Sequence, residues 1–149
     1  MDRNFAIDRI VTMDDADPVG NVHFSRFISW QGQGREEFLI RCAPAFIDDI
    51  HTGRIVVTAN CRCEYLSELK LGQTVSIRMA VHSARFNIMT LDFTYYRCEQ
   101  SGETLVARGD QQVACVRRHA GELVPAGWPP EMVNAVEELG CDVSRAFVE

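Results

Sequence analysis

The chain has 149 residues, 46% hydrophobic and 24% charged, which suits one domain over 1–149 with a core that needs no disulfide or metal staple. A net charge of −6 argues against nucleic acid or an anionic membrane surface as partner. The amino terminus lacks a basic region followed by an apolar run, and nothing approaches the roughly 18 apolar residues of a membrane span, so a cytoplasmic protein is expected.

Residues 4–13 mix apolar and polar positions and read as a first strand, suited to an edge. Residues 14–20 are turn chemistry, with three aspartates, Pro18 and Gly20. A long helix is then expected from about Asn21 to Cys42, with Pro44 soon after as a stop. Phe24, Phe27, Ile28, Phe38, Leu39 and Cys42 follow the spacing of one buried helical face. Gln31 and Arg35 share that stripe. A buried Arg without a partner is costly, so the helix must pack against an acid or line a cavity.

Four alternating runs follow, at 54–66, 74–83, 88–98 and 104–117. In the first, Ile55, Val57, Ala59, Cys61, Cys63 and Tyr65 are expected on one face. In the last, Gly109 marks a bulge or a close approach. Short connectors favour antiparallel neighbours. A final helix opens at Pro129-Pro130-Glu131 and closes at Gly140. The pattern predicts an α+β architecture in which a curved antiparallel sheet of about five strands covers one long helix, with an exposed edge inviting a dimer.

Six scattered cysteines read as buried, reduced thiols, because Cys61-x-Cys63 is neither a zinc knuckle nor a redox pair. The histidines (His23, His51, His82, His119) lack metal-ligand spacing, so no metal and no cofactor is expected. No Gly-x-Ser-x-Gly elbow or Gly-rich phosphate loop exists, which disfavours a serine or cysteine hydrolase.

Asp15-Ala-Asp17-Pro-Val-Gly20-Asn-Val22, followed by Phe24, Phe27 and Trp30, resembles the active-site signature of hotdog-fold thioesterases related to hydroxybenzoyl-CoA thioesterase. More narrowly, residues 19–36, with Trp30-Gln-Gly and Arg35-Glu, resemble the thioesterases of enediyne polyketide biosynthesis. Cys63-Glu-Tyr-Leu-Ser-Glu-Leu and Leu105-Val-Ala-Arg-Gly-Asp-Gln-Gln-Val-Ala-Cys extend the resemblance over nearly the whole chain. It implies a hotdog fold, assembled as a dimer of dimers with sites at the dimer interface. It also implies hydrolysis of a thioester on coenzyme A or an acyl carrier protein. For the enediyne branch the substrate is a polyene β-ketoacyl chain on the carrier domain of an iterative polyketide synthase. That branch carries Asn where this chain has Asp17, whereas the hydroxybenzoyl branch carries Asp. This chain joins the acid of one branch to the helix of the other.

The expected catalytic groups are Asp17, Arg35 and the Gly20, Asn21 and Val22 backbone. Asp17 reads as general base or nucleophile, or as an ordinary helix-terminal aspartate. The N–H groups of 20–22 are expected to hold an oxyanion, or merely to cap the helix. Arg35 matches an active-site arginine of the enediyne branch; alternatively it pairs with Asp17 or Glu64. Phe24, Phe27, Trp30, Gln31 and Thr58 are the expected substrate-binding residues, with plain core as the alternative for the aromatics. His23 is placed on the rim. Two other readings stay open: an aryl- or fatty acyl-CoA thioesterase, and a non-catalytic acyl-binding hotdog protein.

Overall fold

The computed structural model describes residues 4–50 and 53–141. His51 and the first three residues, read above for a targeting signal, lie outside the described residues. The chain runs β1 (Phe5–Ile10), a short 3-10 turn (Met13–Asp15), α1 (Phe24–Cys42), α2 (Pro44–Asp49), β2 (Arg54–Tyr65), β3 (Thr74–Ala84), β4 (Ile88–Glu99), β5 (Gly102–His119), β6 (Glu122–Pro125) and α3 (Pro130–Glu138). The strands form one antiparallel sheet in the order β1-β3-β4-β5-β2, with β6 added to the far end of β5.

The sheet lays its alternate apolar residues on α1. Val75, Ile77 and Met79 of β3 and Met89, Leu91, Phe93 and Tyr95 of β4 are buried, together with Phe27, Trp30, Phe38 and Leu39 of the helix. Each large side chain so buried contributes about 1.5–3 kcal/mol. The α+β expectation holds. The short α2 and β6 are additions, because four to six residues carry too little periodicity to register in the sequence.

Phe24 and Cys42, expected on the buried helical face, are exposed, as is Cys61, and of the cysteines expected to be buried only Cys115 is fully so. Two further expectations change, both for local reasons. The helix begins at Phe24 rather than near Asn21. Residues 16–22 form a hairpin-like loop instead, with bridges Ala16↔Val22 and Asn21↔Lys70 and with Gly20 at φ +85°. His23 then caps α1, its Nδ1 accepting from the Ser25 N–H at 3.3 Å.

In β2 the expected face is right only beyond Asn60. A bulge between Thr58 and Asn60 shifts the register against β5, so Val56 and Thr58 share the inner face with Cys61, Cys63 and Tyr65. One extra residue inverts the alternation on either side of it. As the outer strand of the sheet, β2 also leaves an unpaired edge.

Candidate active site

The loop before α1 is held by the aspartate within it. Asp17 Oδ1 accepts from the Val19 N–H and the Asn21 N–H, both at 3.0 Å. Asp17 Oδ2 has no hydrogen-bond partner among the described residues. The loop is pinned outward by Val22 N–H to Leu69 O at 2.8 Å and by Leu71 N–H to Gly20 O at 2.9 Å.

These bonds overturn the expected role of the Gly20, Asn21 and Val22 amides. Gly20 N–H donates to Asp17 O, Asn21 N–H to the Asp17 carboxylate and Val22 N–H to Leu69 O. None of the three is free to hold an oxyanion. The spare donors lie one step further on, in the first turn of α1. There Ser25 N–H goes to His23 Nδ1 and Arg26 N–H to His23 O, which leaves the Phe24 N–H without an acceptor among the described residues.

A cleft of about 370 Å³ opens beside this loop, its walls including Asn21, Val22, Phe24, Phe27, Tyr65 and Leu66. Phe24 is 65% exposed and forms part of the mouth. Tyr65 Oη donates to Phe24 O at 2.9 Å, tying β2 to the start of the helix. Asn21 Oδ1 is buried beside the cleft with no partner among the described residues. Phe27 is mostly core, in edge-on contact with Trp30, Tyr65 and Tyr95 at 5.1–5.4 Å between centroids. Trp30 is wholly core and does not reach the cleft, so its expected substrate contact is withdrawn.

Arg35 lies about three turns along α1 from Phe24, roughly 16 Å at the helical rise. It pairs with neither of the expected acids. Asp17 is engaged in its own turn, and Glu64 accepts from Arg108 at 2.9 Å. Instead Arg35 Nη1 donates to Thr58 Oγ1 and to Gln111 Oε1, each at 2.8 Å. Its Nε is buried without a partner among the described residues. Burial draws the Arg35 pKa below the ordinary guanidinium value, and Glu36 offsets part of that. A half-buried cation with only neutral acceptors is a poor structural choice and a good partner for developing negative charge.

Gln31 is fully buried and both ends of its amide are spent. Nε2 donates to Arg62 O at 2.9 Å, and Oε1 accepts from Gln111 Nε2 at 3.2 Å. It therefore braces the site and does not present to a ligand. Gln111, 3% exposed, is the residue that sequence reading missed. On an alternating strand it sits where an apolar residue belongs, and that mismatch was the available signal. No group of three or more His, Cys, Asp or Glu among the described residues could hold a metal ion, and no described helix is long and apolar enough to cross a membrane.

Residues 11–136 match the model of the thioesterase-like superfamily. Among solved structures, the dynemicin thioesterase, studied for induced-fit and allosteric effects upon polyene binding, is 31% identical over 95% of this chain and 99% of its own, with a TM-score of 0.88. A 4-hydroxybenzoyl-CoA thioesterase complexed with 4-hydroxybenzoyl-CoA is 15% identical over 90% and 99% of the two chains, at a TM-score of 0.79. A 1,4-dihydroxy-2-naphthoyl-CoA thioesterase from Synechocystis is 17% identical over 92% and 98%, also at 0.79. No curated protein sequence matches the chain. With its sheet wrapped on one long helix and its signature loop ahead of that helix, the chain belongs to the thioesterase-like superfamily and is a hotdog-fold thioester hydrolase.

Proposed function

We propose that this hydrolase releases a polyene β-ketoacyl chain from the acyl carrier protein of an iterative, enediyne-type polyketide synthase. The observation that carries the reading is Arg35, a half-buried cation whose described side-chain acceptors, Thr58 and Gln111, are both neutral. An acyl chain bearing a β-keto oxygen beside its thioester offers such a group an acceptor at both oxygens. The 31% identity to the dynemicin thioesterase, spread over 95% of the chain, supports the same class of substrate.

In the proposed reaction the thioester carbonyl lies at the start of α1, where the Phe24 N–H polarises it. Asp17 is held by two amides on Oδ1, which leaves Oδ2 to take a proton from water or to attack the carbonyl directly. Arg35 receives the charge that develops on the acyl oxygens. No cofactor enters these steps.

The roughly 16 Å between the two ends of this machinery is resolved by a second copy. Tyr65 of β2 contacts the start of α1, and Thr58 of the same strand contacts Arg35. A two-fold axis between Cys61 and Arg62 on the open β2 edge would set Tyr65 of one strand against Thr58 of the other. Asp17 of one protomer would then face Arg35 of the partner subunit, in a dimer that can pair again into a tetramer. Subunit mixing tests this. Asp17→Asn and Arg35→Gln, each inactive alone, should regain activity when their subunits are exchanged, because each mixed dimer carries one intact site. No recovery on mixing would place the site within one chain. A second reading, hydrolysis of aryl- or fatty acyl-CoA, is favoured by the acid at position 17.

A further inference from the structure

Arg62 O on β2 can only accept a hydrogen bond, and the guanidinium of Arg35 can only donate. Two amides join them in series. Gln31 Nε2 donates to Arg62 O at 2.9 Å, Gln111 Nε2 donates to Gln31 Oε1 at 3.2 Å, and Arg35 Nη1 donates to Gln111 Oε1 at 2.8 Å. With an acceptor at one end and a donor at the other, each amide has one permitted orientation. Flipping either would set donor against donor or acceptor against acceptor. The series closes because position 109 is glycine: a Cβ there would lie 2.2 Å from Arg62 O and 2.5 Å from Gln31 Nε2.

For stability alone this is an odd solution. A carboxylate at position 111 would compensate the Arg35 charge far better than an amide does. An amide aims the guanidinium and leaves its charge unneutralised. We infer that Gln111 is a positioning residue for Arg35, locked by Gln31 and Gly109, which holds the guanidinium at a fixed angle with its positive charge kept for the substrate. This rests on the thioesterase role proposed above for Arg35.

The test uses the full-length chain and one acyl-CoA ester, with kcat, KM and the urea midpoint measured for Arg35→Met, Gln111→Met and Gln111→Glu. Arg35→Met should lose about a hundredfold or more in kcat, as removal of one oxyanion donor does elsewhere. Gln111→Met should lower kcat roughly tenfold, with KM changed much less, because the cation is present but no longer aimed. Gln111→Glu loses the bond to Gln31 Oε1 but gains an ion pair with Arg35, so it should unfold no earlier than Gln111→Met, yet be as slow as Arg35→Met, since the ion pair cancels the charge.

Between the two Gln111 variants, the slower one is thus not the less stable one, which a merely structural role does not allow. Should Gln111→Met fail to fold, Gln31→Met/Gln111→Met removes both amides together and carries the same prediction. If Arg35→Met is inactive while both Gln111 variants keep wild-type kcat, the positioning role is wrong and the role of Arg35 stands. If kcat falls only in step with the urea midpoint, Gln111 is structural. If Arg35→Met keeps its activity, the reading of the site itself fails.

Discussion

Replacing Gly109 with alanine tests the central packing contact of the molecule. The new methyl would lie 2.2 Å from Arg62 O, 2.5 Å from Gln31 Nε2 and 3.2 Å from Cys63 Cα. Two of those atoms are backbone of β2, so the strand must move away from β5 or the Gln31 amide must leave its acceptor. Overpacking of this kind costs about 1–3 kcal/mol. Displacing the amide leaves a buried donor and a buried acceptor unmade, a further penalty of about 1–3 kcal/mol. Gly109→Ala should therefore lose roughly 2–6 kcal/mol, a large share of the 5–15 kcal/mol typical of a whole domain. Urea unfolding followed by tryptophan fluorescence measures it, as a lower midpoint at unchanged slope. A midpoint within about 0.5 kcal/mol of wild type would refute the reasoning, because the strand would then have room that the structure denies it.

Other outcomes follow from single contacts. Tyr95→Phe deletes the bond from Tyr95 Oη to Phe27 O at 2.7 Å and should cost about 1 kcal/mol in the same assay. Burial pushes the Cys63 and Cys115 thiols from 9.0 up to about 11. A pKa raised by folding gives stability that is complete below the unfolded value and lost as pH rises through the folded one, so their contribution should fade between pH 9 and 11. Cys115→Ala should flatten that part of an alkaline stability profile; an unchanged slope would count against it. Asp17→Asn keeps an oxygen for the Val19 and Asn21 amides and should fold within about 0.5 kcal/mol of wild type, whereas Asp17→Ala should lose about 1 kcal/mol. Both should lose hydrolysis if the carboxylate takes part in the chemistry, which separates its two roles in one pair of unfolding and rate measurements.

The sheet and long helix were legible because their periods are long and unbroken. Met89, Leu91, Phe93 and Tyr95 alternate over a full strand, and each is buried where the alternation puts it. The helix start was misplaced because Asn21 and Val22 are compatible with a helix, whereas their actual partners, Lys70 and Leu69, are distant in sequence. The bulge in β2 left no mark, since Val57, Thr58 and Ala59 suit a strand in either phase. Arg35 and Gln31 stood out as polar residues on an apolar stripe. What they touch was hidden, because Gln111 is 80 residues from Gln31 and 76 from Arg35 along the chain.

The claim that matters most is that the acyl chain arrives on a carrier protein. It is tested by loading one β-ketoacyl chain onto an acyl carrier protein and onto coenzyme A and measuring kcat/KM for both with the wild-type chain. The carrier-bound ester should be clearly preferred, and Arg35→Met should lose that activity. Preference for the coenzyme A ester would contradict that claim and transfer the function to the acyl-CoA reading.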